Sequence, residues 1–231
     1  LEVNDLVLQP LASSYAVLSE DEKDLGVCLI DIGGGTTDIA VWTQGAIRHT
    51  SVIPIAGDQI TNDIAMALRT PTREAEDIKC KYGCALSQLA DVHQNIDVAG
   101  VDDRPSRSLS RRALADVIQP RVEELYELIQ NELRRAGFEE VLSSGIVLTG
   151  GASVMPGMVE LGEEIFHMPV RLGNPKYHGS LADVVQSPHF STSFGLLLEA
   201  QAQRKRGQKI QEKQGIKDVF SSMKDWFVKN F

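Results

Sequence analysis

The stretch Val27-Cys28-Leu29-Ile30-Asp31-Ile32-Gly33-Gly34-Gly35-Thr36-Thr37-Asp38-Ile39-Ala40-Val41-Trp42-Thr43 decides the fold. An apolar run over Val27 to Ile32 ends in Asp31 and a glycine cluster, and Asp38 to Thr43 resumes with β-branched and aromatic residues. That order predicts strand, tight turn, strand, a hairpin with a Gly-Gly-Gly tip. A further strand, Ala46 to Pro54, leads to Gly57, after which Ile60, Ile64, Ala67 and Leu68 recur at helical spacing. Pro71 closes that helix. Thr72, followed by Arg73, Glu74, Ala75 and Glu76, caps a second one reaching about Tyr82, with Gly83 beyond its end.

Further along, residues 92–109 are polar around one apolar stretch, Ile96 to Val101, which reads as an edge strand and loop. From Ser110 to Ala136, Leu114, Ile118, Val122, Leu125, Ile129 and Leu133 recur every three or four residues, with Pro120 inside and Gly137 after the run. A long helix in two pieces is expected, because proline lacks an N–H and clashes with the preceding turn. Gly145 to Thr149 reads as a buried strand leading into Gly150 and Gly151, Gly157 to His167 as a helix, and Phe194 to Gln203 as the last helix of the globular body. Residues 201–215, rich in Gln, Lys and Arg, read as a flexible linker. At the other end, Val3 to Leu11 has the texture of a packed interior, so the chain is expected to be a fragment with an upstream part missing.

With 231 residues and 42% hydrophobic content, the chain can bury one large core or two smaller ones. Its net charge of −9 is uneven: residues 203–231 hold eight Lys or Arg against three acidic residues, leaving the tail at +5 and the remainder at −14. An acidic body argues against nucleic-acid binding, and a short basic tail suits an anionic surface such as a membrane. Cys28, Cys80 and Cys84 are odd in number and lack metal-ligand spacing, which fits reduced thiols in the cytosol. No apolar run is long enough to span a bilayer, and the visible start shows no cleavable signal pattern.

The chemistry concentrates at the glycines. Gly33, Gly34 and Gly35 let backbone N–H groups approach phosphate oxygens, Thr36 adds a hydroxyl donor, and Asp31 at the strand end could hold Mg²⁺ through water. A Gly-rich turn by itself is equally a plain hairpin, with Asp31 and Asp38 as turn residues. A second pair, in Leu148-Thr149-Gly150-Gly151-Ala152-Ser153, again follows a strand and precedes a helix. Between the two lies Ala75-Glu76-Asp77-Ile78-Lys79, whose Glu76 and Lys79 share a helix face and could also be a solvated ion pair.

These three motifs, in this order and just over a hundred residues from first to last, resemble the actin, Hsp70 and sugar-kinase superfamily. The resemblance implies an α/β, actin-like (ribonuclease H-like) ATPase half: a mixed sheet flanked by helices, with an inserted α+β subdomain and a C-terminal amphipathic helix. The Asp31 to Asp38 segment is similar to the family's second phosphate loop, and Gly145 to Gly157 to its adenosine motif. Gly150, Gly151 and Met155 would then lie beneath adenine and ribose, with Glu76 and Lys79 facing the nucleoside. The implied cofactors are ATP and Mg²⁺. The first phosphate loop of the family lies upstream, so catalysis by these residues alone is not expected.

From Ile216 to Phe231, at 100° per residue, Ile216, Val219, Phe220, Met223, Trp226, Phe227 and Phe231 fall within an arc of roughly 140°. Lys217 and Lys224 flank the arc; Asn230 inside it and Val228 outside it are exceptions. Such a helix is ~24 Å long, and its charged face forbids spanning, so it suits the headgroup plane. Docking on the protein's own body or on a partner helix is the alternative.

Together with Pro54-Ile55-Ala56-Gly57-Asp58, this combination resembles the FtsA family of bacterial cell-division proteins over essentially all 231 residues. The likeness implies a division of the chain into subdomain 2A (1–57 and 139–200), an inserted subdomain 2B (58–138), a linker (201–215) and a membrane helix (216–231). By the same resemblance, 2B binds the C-terminal tail of the tubulin-like protein FtsZ. The helix tethers that polymer to the cytoplasmic face of the inner membrane at the division site, other division proteins are recruited, and subunits self-associate into actin-like filaments. Arg111 and Arg112 are candidate contacts for an acidic tail, or ordinary surface. A soluble sugar or acetate kinase, an Hsp70-like chaperone and a rod-shape actin homologue share the fold, and none of them needs the terminal helix. In a flotation assay with anionic liposomes the chain should rise with the vesicles and a version lacking residues 216–231 should stay at the bottom; equal flotation of both would refute the membrane assignment.

Overall fold

In a computed structural model, residues 3, 5–100 and 105–205 are described. Alternation along three strands sets the layers. In β1 (Val27–Ile32), Cys28, Ile30 and Ile32 point to one side and Val27 and Leu29 to the other; β2 (Thr37–Thr43) divides Ile39 and Val41 from Ala40 and Trp42 in the same way. Strand β6 (Ile146–Thr149) repeats the division with Ile146 and Leu148 against Val147. Because side chains alternate across a strand, apolar residues on both faces require cover on both.

The sheet has the order β3-β2-β1-β6-β7, with β3 at Ala46–Ile53 and β7 at Val170–Leu172. Strands β3, β2 and β1 are antiparallel neighbours, whereas β1, β6 and β7 are parallel, so the sheet is mixed. The larger core lies on the Cys28 face and takes in α3 (Gly57–Leu68), α4 (Thr72–Tyr82), α5 (Arg111–Ala136) and α6 (Met158–Phe166). On the Leu29 face, α1 (Gln9–Val17) supplies Ala16 and Val17, and Phe194 of α8 (Ser191–Lys205) packs against them. Helices α1 and α8 cross closely: a side chain at Gly195 would run into the backbone of Ala12. A helix α2 (Glu20–Leu25) and a short α7 (Ala182–Val185) complete the helices.

The expected hairpin and its third strand are present, as are the two helices separated by Pro71. Several expectations need correction. Val3, Leu6 and Leu8 are exposed rather than packed, since the helix that enters the core begins only at Gln9, with Pro10 in its first turn. Helix α5 is one element of 26 residues and not two, with Pro120 inside it; its apolar face of Leu114, Ile118, Val122, Leu125, Ile129 and Leu133 is buried along the whole length. That continuous burial outweighs the one hydrogen bond that proline forfeits. The strand expected at Ile96 to Val101 is β4 (Asn95–Val98), and it pairs with β5 (Arg107–Ser110) in a second, two-stranded sheet. Helix α8 runs to Lys205, past the Gln203 end expected for it, so residues 201–205 of the expected flexible linker are helical, continuing the hydrogen bonding of a helix held against α1.

Residues of the segment 58–138 share one continuous core with the main sheet, because Ile60, Ile64, Ile78, Leu114 and Tyr126 join Ile30 and Leu148 in a single cluster. Tyr126 is fully buried at its centre and its hydroxyl donates to the Met158 carbonyl at 3.0 Å. No helix among the described residues is long and apolar enough to cross a membrane. The amphipathic stretch at 216–231 lies outside the described residues.

Candidate functional site

Parallel pairing of β1 with β6 sets Asp31 beside Thr149, so the glycines following each strand leave the sheet at the same edge. At the first hinge the Gly33 N–H donates to the Thr36 carbonyl at 3.0 Å, closing the turn, while Gly34, Gly35 and Thr36 stay exposed at the tip. Exposed glycine backbone of this kind is open to a phosphate group.

The hinge rests on the start of α3. The N–H groups of Gly57 and Asp58 donate to the carbonyls of Gly33 and Gly34 at 3.1 and 2.8 Å. These belong to the first helical N–H groups, which have no partner inside their own helix. Gly57 is closely surrounded: a Cβ there would stand 3.2 Å from the Gly33 carbonyl oxygen, a tight approach, and at contact distance from Lys79 Nζ (3.4 Å) and Ala152 Cβ (3.5 Å). One residue therefore touches all three motifs.

Lys79 is buried, and its ammonium donates to the Gly57 carbonyl (3.0 Å), Thr61 Oγ1 (2.8 Å) and Glu76 Oε2 (2.7 Å). Those three bonds use every donor an ammonium has. Glu76, with nearly half of its side chain exposed, is the outward partner and also accepts from the Thr61 hydroxyl. The pair is thus not the solvated one that spacing alone allowed. Burial would raise the carboxyl pKa of Glu76, but hydrogen bonds from Lys79, Thr61 and Cys80 and the Lys79 charge outweigh it and hold it below the usual range.

At the second hinge Gly150 has φ of 87° and ψ of 167°, a backbone region that essentially only glycine adopts. A Cβ there would also meet the Asp31 carboxylate and the Ile32 carbonyl. The Gly150 carbonyl accepts from Ser153, through its N–H at 3.3 Å and its hydroxyl at 2.7 Å, which tightens the turn over Gly151–Val154. Gly151 lies under the His189 ring, whose Cδ2 would be 3.2 Å from an added Cβ. Met155 is nearly buried, with its methyl 3.3 Å from where a Cβ on Gly83 would stand, so it packs on the end of α4.

Asp31 is 2% exposed, and its Oδ2 accepts from Ser13 Oγ at 2.5 Å and from Thr192 Oγ1 at 3.3 Å. Directly across the hairpin sits Asp38, itself accepting from Thr36 Oγ1 at 3.5 Å. Burial, then the Asp31 charge, push the Asp38 carboxyl above its usual range, against the smaller opposing effect of Thr36. Asp31 could meet a Mg²⁺ only through water, since it is nearly buried, its Oδ2 is engaged by hydroxyls and its Oδ1 lies against Gly150.

The structure therefore brings Asp31, Gly33, Gly34, Gly35, Thr36, Lys79 and Gly150 to the start of α3 and the end of β1, with Glu76 bonded to Lys79, Gly151 under His189 and Met155 against the end of α4. Ile216, Val219, Phe220, Met223, Lys224, Trp226, Phe227 and Phe231 lie outside the described residues. Of the two candidate tail contacts, Arg111 is engaged internally, its guanidinium donating to the Tyr82 carbonyl at 3.0 Å and to Gln94 at 3.3 Å. Ser13, Thr61, His189 and Thr192 were not expected at the site. Thr61 had a local signal, one helical turn after Gly57; Ser13 and Thr192 are separated by 179 positions and had none.

A carboxyl whose pKa is raised by folding stabilises the native state below its unfolded value and loses that contribution as pH rises through the folded value. Asp38→Asn should therefore raise the melting temperature at pH 7, and the gain should shrink as pH falls toward 4. A gain that grows on acidification would contradict the placement of the two carboxylates.

The family model described as "Cell division protein FtsA" matches residues 28–195. The cell division protein FtsA of Pseudomonas aeruginosa is 65% identical over 198 residues, which is 86% of this chain and 48% of that protein. The Escherichia coli K12 protein of the same description is 45% identical over 241 residues, covering 100% of this chain and 57% of its own length. The chain thus spans about half the length of the relatives it matches. Among solved structures, MreB5 of Spiroplasma citri bound to ADP aligns with a TM-score of 0.70 at 18% identity, covering 87% of this chain and 61% of that one. The PilM–PilN type IV pilus biogenesis complex aligns at 0.64 with 21% identity, covering 84% and 52%. At such identities these structures establish the actin-like fold and nothing finer.

Proposed function

Since the chain belongs to the FtsA family of cell division proteins, we propose that it forms one wall of an ATP site in a protein that ties the FtsZ polymer to the membrane during division. The convergence of three motifs on Gly57 carries the nucleotide part of this reading. In it, the exposed Gly34, Gly35 and Thr36 cradle phosphate, Asp31 holds Mg²⁺ through water, and Gly150, Gly151 and Met155 lie under the nucleoside, with Glu76 facing its ribose and Lys79 bracing the wall. The solved MreB5 structures of Spiroplasma citri with ADP and with AMPPNP favour a nucleotide for a fold of this kind.

The three motifs account for binding of a nucleotide and supply no group that positions an attacking water, so binding is the part of the chemistry this reading carries. The segment 58–138 takes the FtsZ C-terminal tail as subdomain 2B, set into a 2A made of residues 1–57 and 139–200. Residues 206–215 connect it to an amphipathic helix at 216–231 that lies on the cytoplasmic face of the inner membrane. One such helix attaches reversibly, at roughly 1 kcal/mol per Lys near an anionic leaflet, and self-association into filaments multiplies the attachment. Other division proteins are recruited to the same place. The family assignment removes the kinase and chaperone readings, which share only the fold.

Equilibrium binding of a fluorescent ATP analogue to the full-length polypeptide tests the nucleotide site. Gly150→Asp should weaken it at least about tenfold, or ~1.4 kcal/mol, because a second carboxylate would enter the space between Gly150 and Asp31. Thr36→Val, at an exposed position that leaves the fold intact, should weaken it less. Unchanged affinity in both variants would remove the assignment.

A further inference from the structure

The ring of His189 stands over the second hinge, although His189 belongs to none of the three motifs. Its Cδ2 and Nε2 would be 3.2 and 3.4 Å from a Cβ on Gly151, so the edge carrying Nε2 is turned to the hinge, while Nδ1 is 3.0 Å from Ser187 Oγ. A Ser187 hydroxyl that donates to Nδ1 leaves the imidazole hydrogen on Nε2. The short turn that carries the ring, Pro188–Phe190, is fixed to the sheet edge: Pro188 is buried, and Ser191 Oγ lies 2.6 Å from Thr149 Oγ1 at the end of β6. Thr149 gives its own hydrogen to the Gly173 carbonyl at 3.0 Å, so Ser191 is the donor of that pair. His189 itself stays exposed. A ring present only as packing would be buried; this one is held in place and remains open to a ligand.

The stretch from Gly150 to Met155 has two distinct ends. Gly150 abuts Asp31 and Ile32, immediately before the phosphate hinge at Gly33, whereas Met155 packs on the end of α4 beside Gly83. Gly151 and the ring above it therefore belong to the phosphate end. We propose that His189 binds the nucleotide directly, its Nε2–H donating to an oxygen of the phosphate that is joined to the sugar. An N–H aimed at an anion makes one of the stronger hydrogen bonds a neutral side chain can offer. This rests on the ATP-site reading above. It adds to the site a side chain from the turn before α8, and makes the phosphate common to mono-, di- and triphosphates the group recognised there.

Competition against a fluorescent ATP analogue bound to the full-length polypeptide tests this, with ATP, AMP and adenosine as competitors. His189→Phe, which keeps a ring and loses the nitrogen, should weaken ATP and AMP by the same factor, about fivefold or more, because a hydrogen bond to a charged group is lost. Adenosine, which has no phosphate, should bind both proteins equally. His189→Gln, whose amide N–H can take the place of Nε2–H, should bind ATP within about twofold of the wild type. A wild type that binds no ATP overturns both readings. A wild type that binds, with an ATP affinity unmoved by His189→Phe, overturns this one alone. Equal losses for adenosine and AMP would also overturn it, marking the ring as a support of the hinge, as would a Gln variant as weak as the Phe variant.

Discussion

Hydrogen bonding between the parallel strands β1 and β6 brings Asp31 into register with Thr149, and the rest of the candidate site depends on that pairing. Two chain segments more than a hundred residues apart then end at one edge of one sheet, and each needs glycine to turn away from it. Gly150 needs its freedom twice over, for a backbone conformation reserved to glycine and for the absence of a side chain beside Asp31. Without the parallel register these would be two unrelated turns. With it they face each other across the start of α3.

Helix α3 converts that juxtaposition into a fixed geometry. Its leading N–H groups are satisfied by hinge carbonyls, and Lys79 reaches across from α4 to the Gly57 carbonyl. A lysine so deeply placed is tolerable because all three of its donors are used and Glu76 supplies the opposite charge. Asp31 has no such cation beside it among the described residues, only hydroxyls, and its nearest charged neighbour across the hairpin is another carboxylate. The ammonium is compensated on one side of the site, whereas on the other the two carboxylates stand opposite each other across the hairpin with hydroxyls as their partners.

Local signals carried most of the fold. The hairpin, the proline stop at Pro71 and the apolar periodicity of α5 each lie within a dozen or two residues, where propensity and burial agree. The capping box of Ser19 with Glu22 is an equally local mark of α2, which apolar periodicity alone does not reveal in so short and charged a helix. Long-range partners were out of reach. Nothing near Ser13 indicates Thr192, nothing near Arg107–Ser110 indicates its pairing with Asn95–Val98, and Pro120 argued for a break that tertiary burial overrode. At the site, residue types and order were legible, whereas burial was not: Glu76 and Lys79 could have been a surface pair until Gly57 and Thr61 were seen to close around the ammonium.

Hydrogen exchange of backbone amides, followed by mass spectrometry with and without ATP and Mg²⁺, tests most directly whether the hinges work as one site. Nucleotide should slow exchange together in two separate segments, 33–36 and 150–155, with the hairpin between β2 and β3 unaffected. Slowing in one segment alone, or in neither while nucleotide is bound, would contradict a single site built from both.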